Sequence, residues 1–241
     1  MPAIEKKELT SLQETLEPME AEEVLSFAVK KYGKGLSLAS SFGAEDMVLV
    51  QMLSTIQPGG RVFLLDTDYL FKETEDLIQK SKERFDLTFE VCSPALSIAE
   101  MEKQYGADLF RTKPDLCCKL RKIEPLRKHL KGLDAWITGI RRDQTPMREK
   151  AKKIEYDDIF GLIKFNPIAD WSSKRVWEYI ETNNVPYNPL HDQGFPSIGC
   201  KPCTRKVEKG DDPRAGRWTG NEKTECGLHF DSEGKVVSAK R

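Results

Sequence analysis

The sequence predicts an α/β fold, a doubly wound and mostly parallel sheet with a loop-rich C-terminal tail, and three observations predict it. Short apolar runs of strand type alternate with helical patterns from Gly35 onward. Small-residue turns join strand to helix in the order that a parallel sheet needs. At 241 residues the chain is long enough to bury a full core without disulfides.

Each element follows from its local pattern. The first thirty residues carry seven acidic and three basic side chains, and apolar residues recur at Ile4, Leu9, Leu12, Leu16 and then Val24, Leu25, Ala28, Val29. That spacing predicts two amphipathic helices broken near Pro18. Gly35 to Ser40 reads as a strand, Ser41 to Asp46 as a turn, and Met47 to Thr55 as a helix. A second strand at Arg61 to Leu65 leads into a helix from about Phe71 to Phe85, and Leu87 to Val91 is the third strand. A helix dense in Lys and Arg is expected between Leu116 and Lys131, then a strand at Ala135 to Thr138. Ile154 to Pro167 predicts a hairpin around Asp157-Asp158, and Ser172 to Thr182 a capped helix. From Asn183 periodicity fades. The expected organisation is 1–34 as N-terminal helices, 35–195 as an α/β domain, and 196–241 as a loop-rich tail, in one structural domain overall.

Charge excludes several classes. Lys plus Arg total 38 and Asp plus Glu 39, for a net charge of −1, which argues against a nucleic-acid partner. No apolar run approaches the roughly 18 residues that cross a bilayer, and Met1 to Lys7 has no signal-peptide core. A soluble, cytoplasmic protein without a membrane partner is expected.

In a doubly wound sheet, ligands sit beyond the carboxyl ends of strands, where a tight turn and a helix N-terminus aim backbone N–H groups at an anion. Ser40, Ser41, Phe42, Gly43 and Ala44 occupy such a turn, without a Walker A or dinucleotide glycine pattern anywhere in the chain. A nucleotide site and a plain strand-to-helix turn both fit these residues. The strand ends at Leu65-Asp66-Thr67 and Gly139 to Gln144, with Lys119, Arg121 and Lys122, would complete a site for a small anion; Arg141 and Arg142 read equally as solvated charges paired with Asp143.

Six cysteines divide unevenly: Cys117-Cys118, Cys200-x-x-Cys203, Cys226 and Cys92. The first four offer thiolates from two distant segments, and thiolates select soft metal chemistry. A [4Fe–4S] cluster, zinc, a redox disulfide and unligated thiols are all open. Adjacent cysteines suit a zinc knuckle poorly and a larger cluster better. Cys226, with His229, Arg214 and Arg217 near it in sequence, reads either as an activated nucleophile or as an incidental surface thiol. Cys92 reads as a buried small hydrophobe.

Taken together, Ser40-Ser41-Phe42-Gly43-Ala44-Glu45-Asp46, Leu65-Asp66-Thr67, Cys117-Cys118-x-x-x-Lys122, Thr138-Gly139-x-Arg141-Arg142-x-Gln144, Cys200-x-x-Cys203 and Glu225-Cys226-Gly227-Leu228-His229 resemble the assimilatory adenylyl-sulfate (APS) reductases and their 3'-phosphoadenylyl-sulfate (PAPS) reductase relatives. The resemblance runs from about residue 20 to 230. It implies an adenine-nucleotide α-hydrolase (PP-loop) fold with a modified pyrophosphate loop at Ser40 to Asp46. It also implies a [4Fe–4S] cluster on Cys117, Cys118, Cys200 and Cys203, and Cys226 as the nucleophile with His229 beside it. Lys122, Arg148, Arg214 and Arg217 are the implied substrate cations, and Leu65 and Gly139 border the adenosine. The implied activity is that of an oxidoreductase of sulfate assimilation and cysteine biosynthesis, making sulfite and AMP with thioredoxin or glutaredoxin as reductant. A zinc-stabilised nucleotide-binding protein and a PP-loop ATP pyrophosphatase are the alternatives, although the latter class carries an S-G-G-x-D-S loop that Ser41 to Asp46 departs from. The acidic N-terminal helices leave a homo-oligomer open.

Overall fold

The computed structural model describes residues 6–218. Two amphipathic helices come first, α1 (Lys6–Leu16) and α2 (Ala21–Tyr32), separated at Pro18 as the pattern requires. Strand β1 (Leu36–Ala39) then feeds α3 (Ala44–Ile56). Seven α3 residues, from Ala44 through Met47, Val48, Leu49, Val50 and Met52 to Leu53, are buried, so this helix is apolar nearly all round and lies in the core. It begins three residues before the expected Met47 because Ala44, Glu45 and Asp46 continue the helix to its start. Next come β2 (Gly60–Leu65), α4 (Lys72–Arg84) and β3 (Leu87–Cys92).

Two helices that the apolar period does not reveal follow: α5 (Ile98–Tyr105) and the one-turn α6 (Leu109–Thr112). The first carries a local signal, a capping box in which the Glu100 N–H donates to Ser97 Oγ at 3.3 Å and the Ser97 N–H to Glu100 at 2.8 Å. The basic helix is interrupted: α7 (Pro114–Cys118) passes through a π-helical turn, Lys119–Ile123, into α8 (Glu124–Leu130). Strand β4 (Ala135–Ile137) precedes the hairpin β5 (Ile154–Asp157) and β6 (Leu162–Phe165), where Ile154 faces Phe165 and Asp157 faces Leu162. Asp157 Oδ1 accepts from the N–H groups of Ile159 and Phe160, both at 3.1 Å, and Gly161 takes a positive φ of 72°, which closes the turn. Helix α9 (Ser173–Thr182) is capped by Ser172 Oγ, which accepts from the Arg175 N–H at 3.1 Å.

The six strands form one sheet in the order β3-β2-β1-β4-β6-β5; β1 runs parallel to β2 and β4, β4 parallel to β6, and β5 antiparallel to β6. From β1 the chain steps outward to β2 and β3, then returns to place β4 on the other side of β1. The strand order therefore reverses between β1 and β4, and the loops leaving their carboxyl ends flank the crevice where such sheets take ligands.

The chain divides into two compact units. One comprises residues up to 64, Leu77–Glu90 and Leu130–Tyr187. Its core includes Leu25, Leu38, Met47, Val48, Phe63, Ile137 and Phe165, all buried, with the rings of Phe27 and Tyr32 from α2 set against Phe165 at 6.4 and 5.8 Å. Buried Lys153 joins the hairpin to the corner between α1 and α2 by donating to Met19 O, and pairs with Asp170 at 2.9 Å. The other unit comprises Leu65–Asp76, Val91–His129 and the chain from 188 onward. Its core gathers Met101, Leu109 and Cys117 with Tyr69, Leu96 and Phe110. Asn188 anchors the late chain there by donating to Thr74 Oγ1 at 2.9 Å. No helix of the described residues is long and apolar enough to cross a membrane.

Candidate functional site

In the first unit the β1 carboxyl end turns at Ser40 and Ser41 into α3. Ser40 is fixed at both ends: its N–H donates to Phe63 O at 2.9 Å and its Oγ accepts from the Phe42 N–H at 3.1 Å. That bond holds Phe42 at a φ of +60°, unusual for an aromatic residue, with its buried ring stacked on Phe89 at 6.2 Å. Gly43 takes the N-cap position, and its side-chain-free cap leaves the first turn of α3 open to an anion. Ser41 is exposed, and its N–H and hydroxyl both donate to Asp46 Oδ2, at 2.6 and 2.7 Å. Burial, with a smaller push from the Glu45 charge, raises the Asp46 carboxyl from 3.8 to about 6, against the Ser41 hydrogen bonds and the charge of Arg148.

The β4 carboxyl end meets this turn. A Cβ on Gly139 would lie 2.4 Å from Asp46 Oδ1 and 3.1 Å from Glu45 Cβ, so only glycine allows the two segments to approach this closely. Arg141 pairs with Asp143 as the sequence suggests, but it is buried and not solvated: it also donates to Trp171 O at 3.3 Å and pairs with Glu45 at 3.1 Å. Arg142 donates to Ala151 O at 2.8 Å and to Glu17. Arg148, half-buried in a 3-10 turn (Pro146–Arg148), donates to Gln144 Oε1 and acts electrostatically on Asp46. The structure thus brings Ser40, Ser41, Phe42, Gly43, Gly139 and Arg148 together. Leu65 closes β2 and falls in the other unit.

That second unit holds the four cysteines. None of the five described cysteines is in a disulfide. Cys117 and Cys118 are buried on α7, one residue before the π-helical turn that carries Lys122. Burial first, and then the charges of Cys200 and Cys203, push the Cys117 thiol up to about 11, while Lys122 and Arg121 pull it down. Cys117 is therefore within electrostatic reach of both members of the C-x-x-C. Thr67 Oγ1 lies 3.3 Å from Cys200 Sγ, and the Lys201 N–H donates to Tyr69 O at 2.7 Å, so the loop after β2 seats the C-x-x-C loop.

Arg121, expected among the charge-offsetting cations, does pull the Cys117 thiol down and is also a buried strut. It is 2% exposed, donates to Thr67 O, Leu96 O and Asp68, and lies over the Tyr69 ring at 5.7 Å. Lys119 is exposed, and Lys122 is half-buried and, with Arg121, favours the Cys117 thiolate.

Beyond the C-x-x-C, the chain is held at least as far as residue 218. Trp218, to which no sequence pattern points, is buried and donates its N–H to Cys203 O at 3.0 Å. Arg217 lies over the Trp218 ring at 4.5 Å and Arg214 at 5.9 Å. A Cβ on Gly199 would stand 2.2 Å from the Arg217 guanidinium, so that glycine admits the arginine beside Cys200. Cys226 and His229 lie outside the described residues.

Among the described residues no three or more His, Cys, Asp or Glu side chains form a group that would hold a metal ion as they stand. The donor set nevertheless fits a thiolate-ligated group larger than one ion. Four cysteines, none in a disulfide, share one unit, and successive residues on a helix diverge by about 100°, which separates the sulfurs of Cys117 and Cys118.

The phosphoadenosine phosphosulfate reductase domain model matches residues 35–206. The chain is 46% identical over 222 residues to adenosine 5'-phosphosulfate reductase of Halalkalibacterium halodurans, spanning 92% of this chain and 96% of that protein. It is 45% identical over 229 residues to phosphoadenosine 5'-phosphosulfate reductase of Gloeobacter violaceus, spanning 94% and 95%. The crystal structure of PAPS reductase from Candida auris, a phosphate complex, superposes with a TM-score of 0.74 at 30% identity, over 86% of this chain and 99% of that one. Candida glabrata FMN adenylyltransferase, with a TM-score of 0.57 at 17% identity over 92% and 79%, shares the fold alone.

Proposed function

The chain belongs to the phosphoadenosine phosphosulfate reductase family and is a sulfonucleotide reductase, and we propose that its reaction is the thioredoxin-dependent reduction of APS to sulfite and AMP. The observation that carries this reading is the 46% identity with a reductase named for adenosine 5'-phosphosulfate over 92% of the chain. The geometry agrees with it: the N-cap of α3 is Gly43, without a side-chain cap, and the Arg148 charge acts on Asp46 in the first turn. Ser40, Ser41, Phe42, Gly43 and Arg148 are assigned to the nucleotide phosphate, and Leu65 and Gly139 to the adenosine.

In the first step the Cys226 thiolate attacks the sulfur of APS. A sulfur–sulfur bond forms, the bond from that sulfur to the bridging oxygen breaks, and AMP departs with the electron pair. Negative charge grows on the AMP phosphate, and Lys122, Arg148, Arg214 and Arg217 stabilise it. His229 supports the thiolate. In the second step one thiolate of reduced thioredoxin, or of glutaredoxin, attacks Cys226 sulfur and expels sulfite; its second thiol then releases Cys226. The dithiol is oxidised to a disulfide and the transferred sulfur gains two electrons.

Cys117, Cys118, Cys200 and Cys203 would hold a [4Fe–4S] cluster. When bound, that group supplies cross-linking and an electrostatic field, since the dithiol already supplies both electrons. A sulfite-release assay with APS or PAPS and reduced thioredoxin tests the whole reading; release from neither substrate overturns it. PAPS, or both substrates, is the second reading, favoured by the 45% identity to the Gloeobacter violaceus protein named for that compound. The place of the reaction is sulfate assimilation and cysteine biosynthesis in the cytoplasm.

A further inference from the structure

We propose that Gln144 is a positioning residue for substrate binding, its side-chain amide joining Glu45 at the start of α3 to Arg148 and so fixing the guanidinium on the pyrophosphate loop. The hydrogen bonds dictate how the amide is turned. Its Oε1 accepts from the Arg141 N–H at 3.1 Å and from Arg148 Nη1. Its Nε2 donates to Glu45 Oε1 at 3.0 Å, the same oxygen that accepts from Arg141 Nε at 3.1 Å. One side chain must therefore accept from two donors at one end and donate to a carboxylate at the other, which an amide does and a carboxylate cannot.

The consequence reaches the loop. Arg148 acts on Asp46, and Asp46 receives both Ser41 donors, so a displaced Arg148 removes the positive charge from the segment that faces the phosphate. Glu45 is tied from the other side by buried Arg141, which makes it a fixed post for Gln144.

The inference rests on Arg148 being a substrate cation, and the test separates the two. AMP affinity is measured by calorimetry, with KM and kcat for APS, in four proteins whose melting curves are compared: wild type, Arg148→Ala, Gln144→Glu and the swap Gln144→Glu with Glu45→Gln. Gln144→Glu sets two carboxylates face to face and is expected to weaken AMP binding about tenfold and raise KM by a similar factor with a smaller change in kcat. The swap restores one donor and one acceptor at the same contact, because the amide placed at position 45 keeps an oxygen for Arg141 and turns its N–H₂ toward the carboxylate placed at position 144. It is expected to return AMP binding to within about threefold of wild type. If Arg148→Ala weakens AMP binding while Gln144→Glu does not, or if the swap fails to rescue, the positioning role is overturned and the Arg148 assignment stands. If Arg148→Ala binds AMP as wild type does, the Arg148 assignment itself falls, and the role of Gln144 with it.

Discussion

The anion loop and the thiol group are each braced by one buried arginine, and they differ in what that arginine leaves behind. Arg141 pairs with Glu45 and Asp143 and donates to Trp171 O; Arg121 pairs with Asp68 and donates to Thr67 O and Leu96 O. Around Arg141 the charges nearly cancel, and the half-buried carboxyl of Asp46 is the group under strain. Around Arg121 burial, and then the charges of Cys200 and Cys203, oppose ionisation at Cys117 more than Lys122 and Arg121 favour it. A balanced network suits an anion that comes and goes. Two buried and two half-buried thiols suit soft-metal ligation, because bound positive charge favours their deprotonation.

The widest separation between the two regions is expected from the cysteines. Cys226→Ser should abolish the S-sulfo adduct and lower sulfite release by about 10³-fold or more, yet leave the visible chromophore of an iron–sulfur protein. Cys203→Ser should bleach that chromophore, read by absorbance and iron content. A Cys226→Ser protein that still forms the adduct would remove the nucleophile assignment.

Next in size is Arg121→Met. It leaves the carbonyls of Thr67 and Leu96 without their buried donor, and should cost about 4 kcal/mol in denaturant unfolding. A cost below about 1 kcal/mol would mean that the strut is dispensable.

Asp46→Asn reads the strain in the other region. The folded carboxyl titrates near 6 instead of 3.8, so the folded state binds the extra proton between those values and wild type loses stability as pH rises through them. Asparagine keeps an acceptor for the Ser41 N–H without the charge. It should therefore be more stable than wild type by about 3 kcal/mol above pH 6, and no more stable below pH 4. An advantage that is flat from pH 4 to 8 would refute the assignment.

The smallest effect is at Gly139. Gly139→Ala presses on Asp46 and Glu45 and should weaken AMP binding about tenfold, or about 1.4 kcal/mol, without bleaching the chromophore. Bleaching by this change would deny that the two regions are chemically separate.

Much of this was legible along the chain. The period of the apolar residues places β1, β2, β3 and β4 and the hairpin, and Ser172 marks the start of α9. The Ser40 to Asp46 turn and the four paired cysteines are contiguous motifs, and such motifs survive without knowledge of the fold. Helix α5 was legible only through Ser97 and Glu100, because eight residues give the apolar period too little length. Gln144 sits inside a motif without showing its task, and Trp218 belongs to none.

By itself the sequence determined the α/β alternation, the absence of a Walker loop and the grouping of thiols, because each depends on neighbours along the chain. Only the tertiary structure decided which charges are buried struts. Arg121 and Lys122 are adjacent and Arg141 and Arg142 are adjacent, yet within each pair the first side chain is buried and the second only half-buried. Burial and hydrogen-bond partners come from residues tens of positions away, such as Thr67 for Arg121 and Glu45 for Arg141, and no local pattern encodes them.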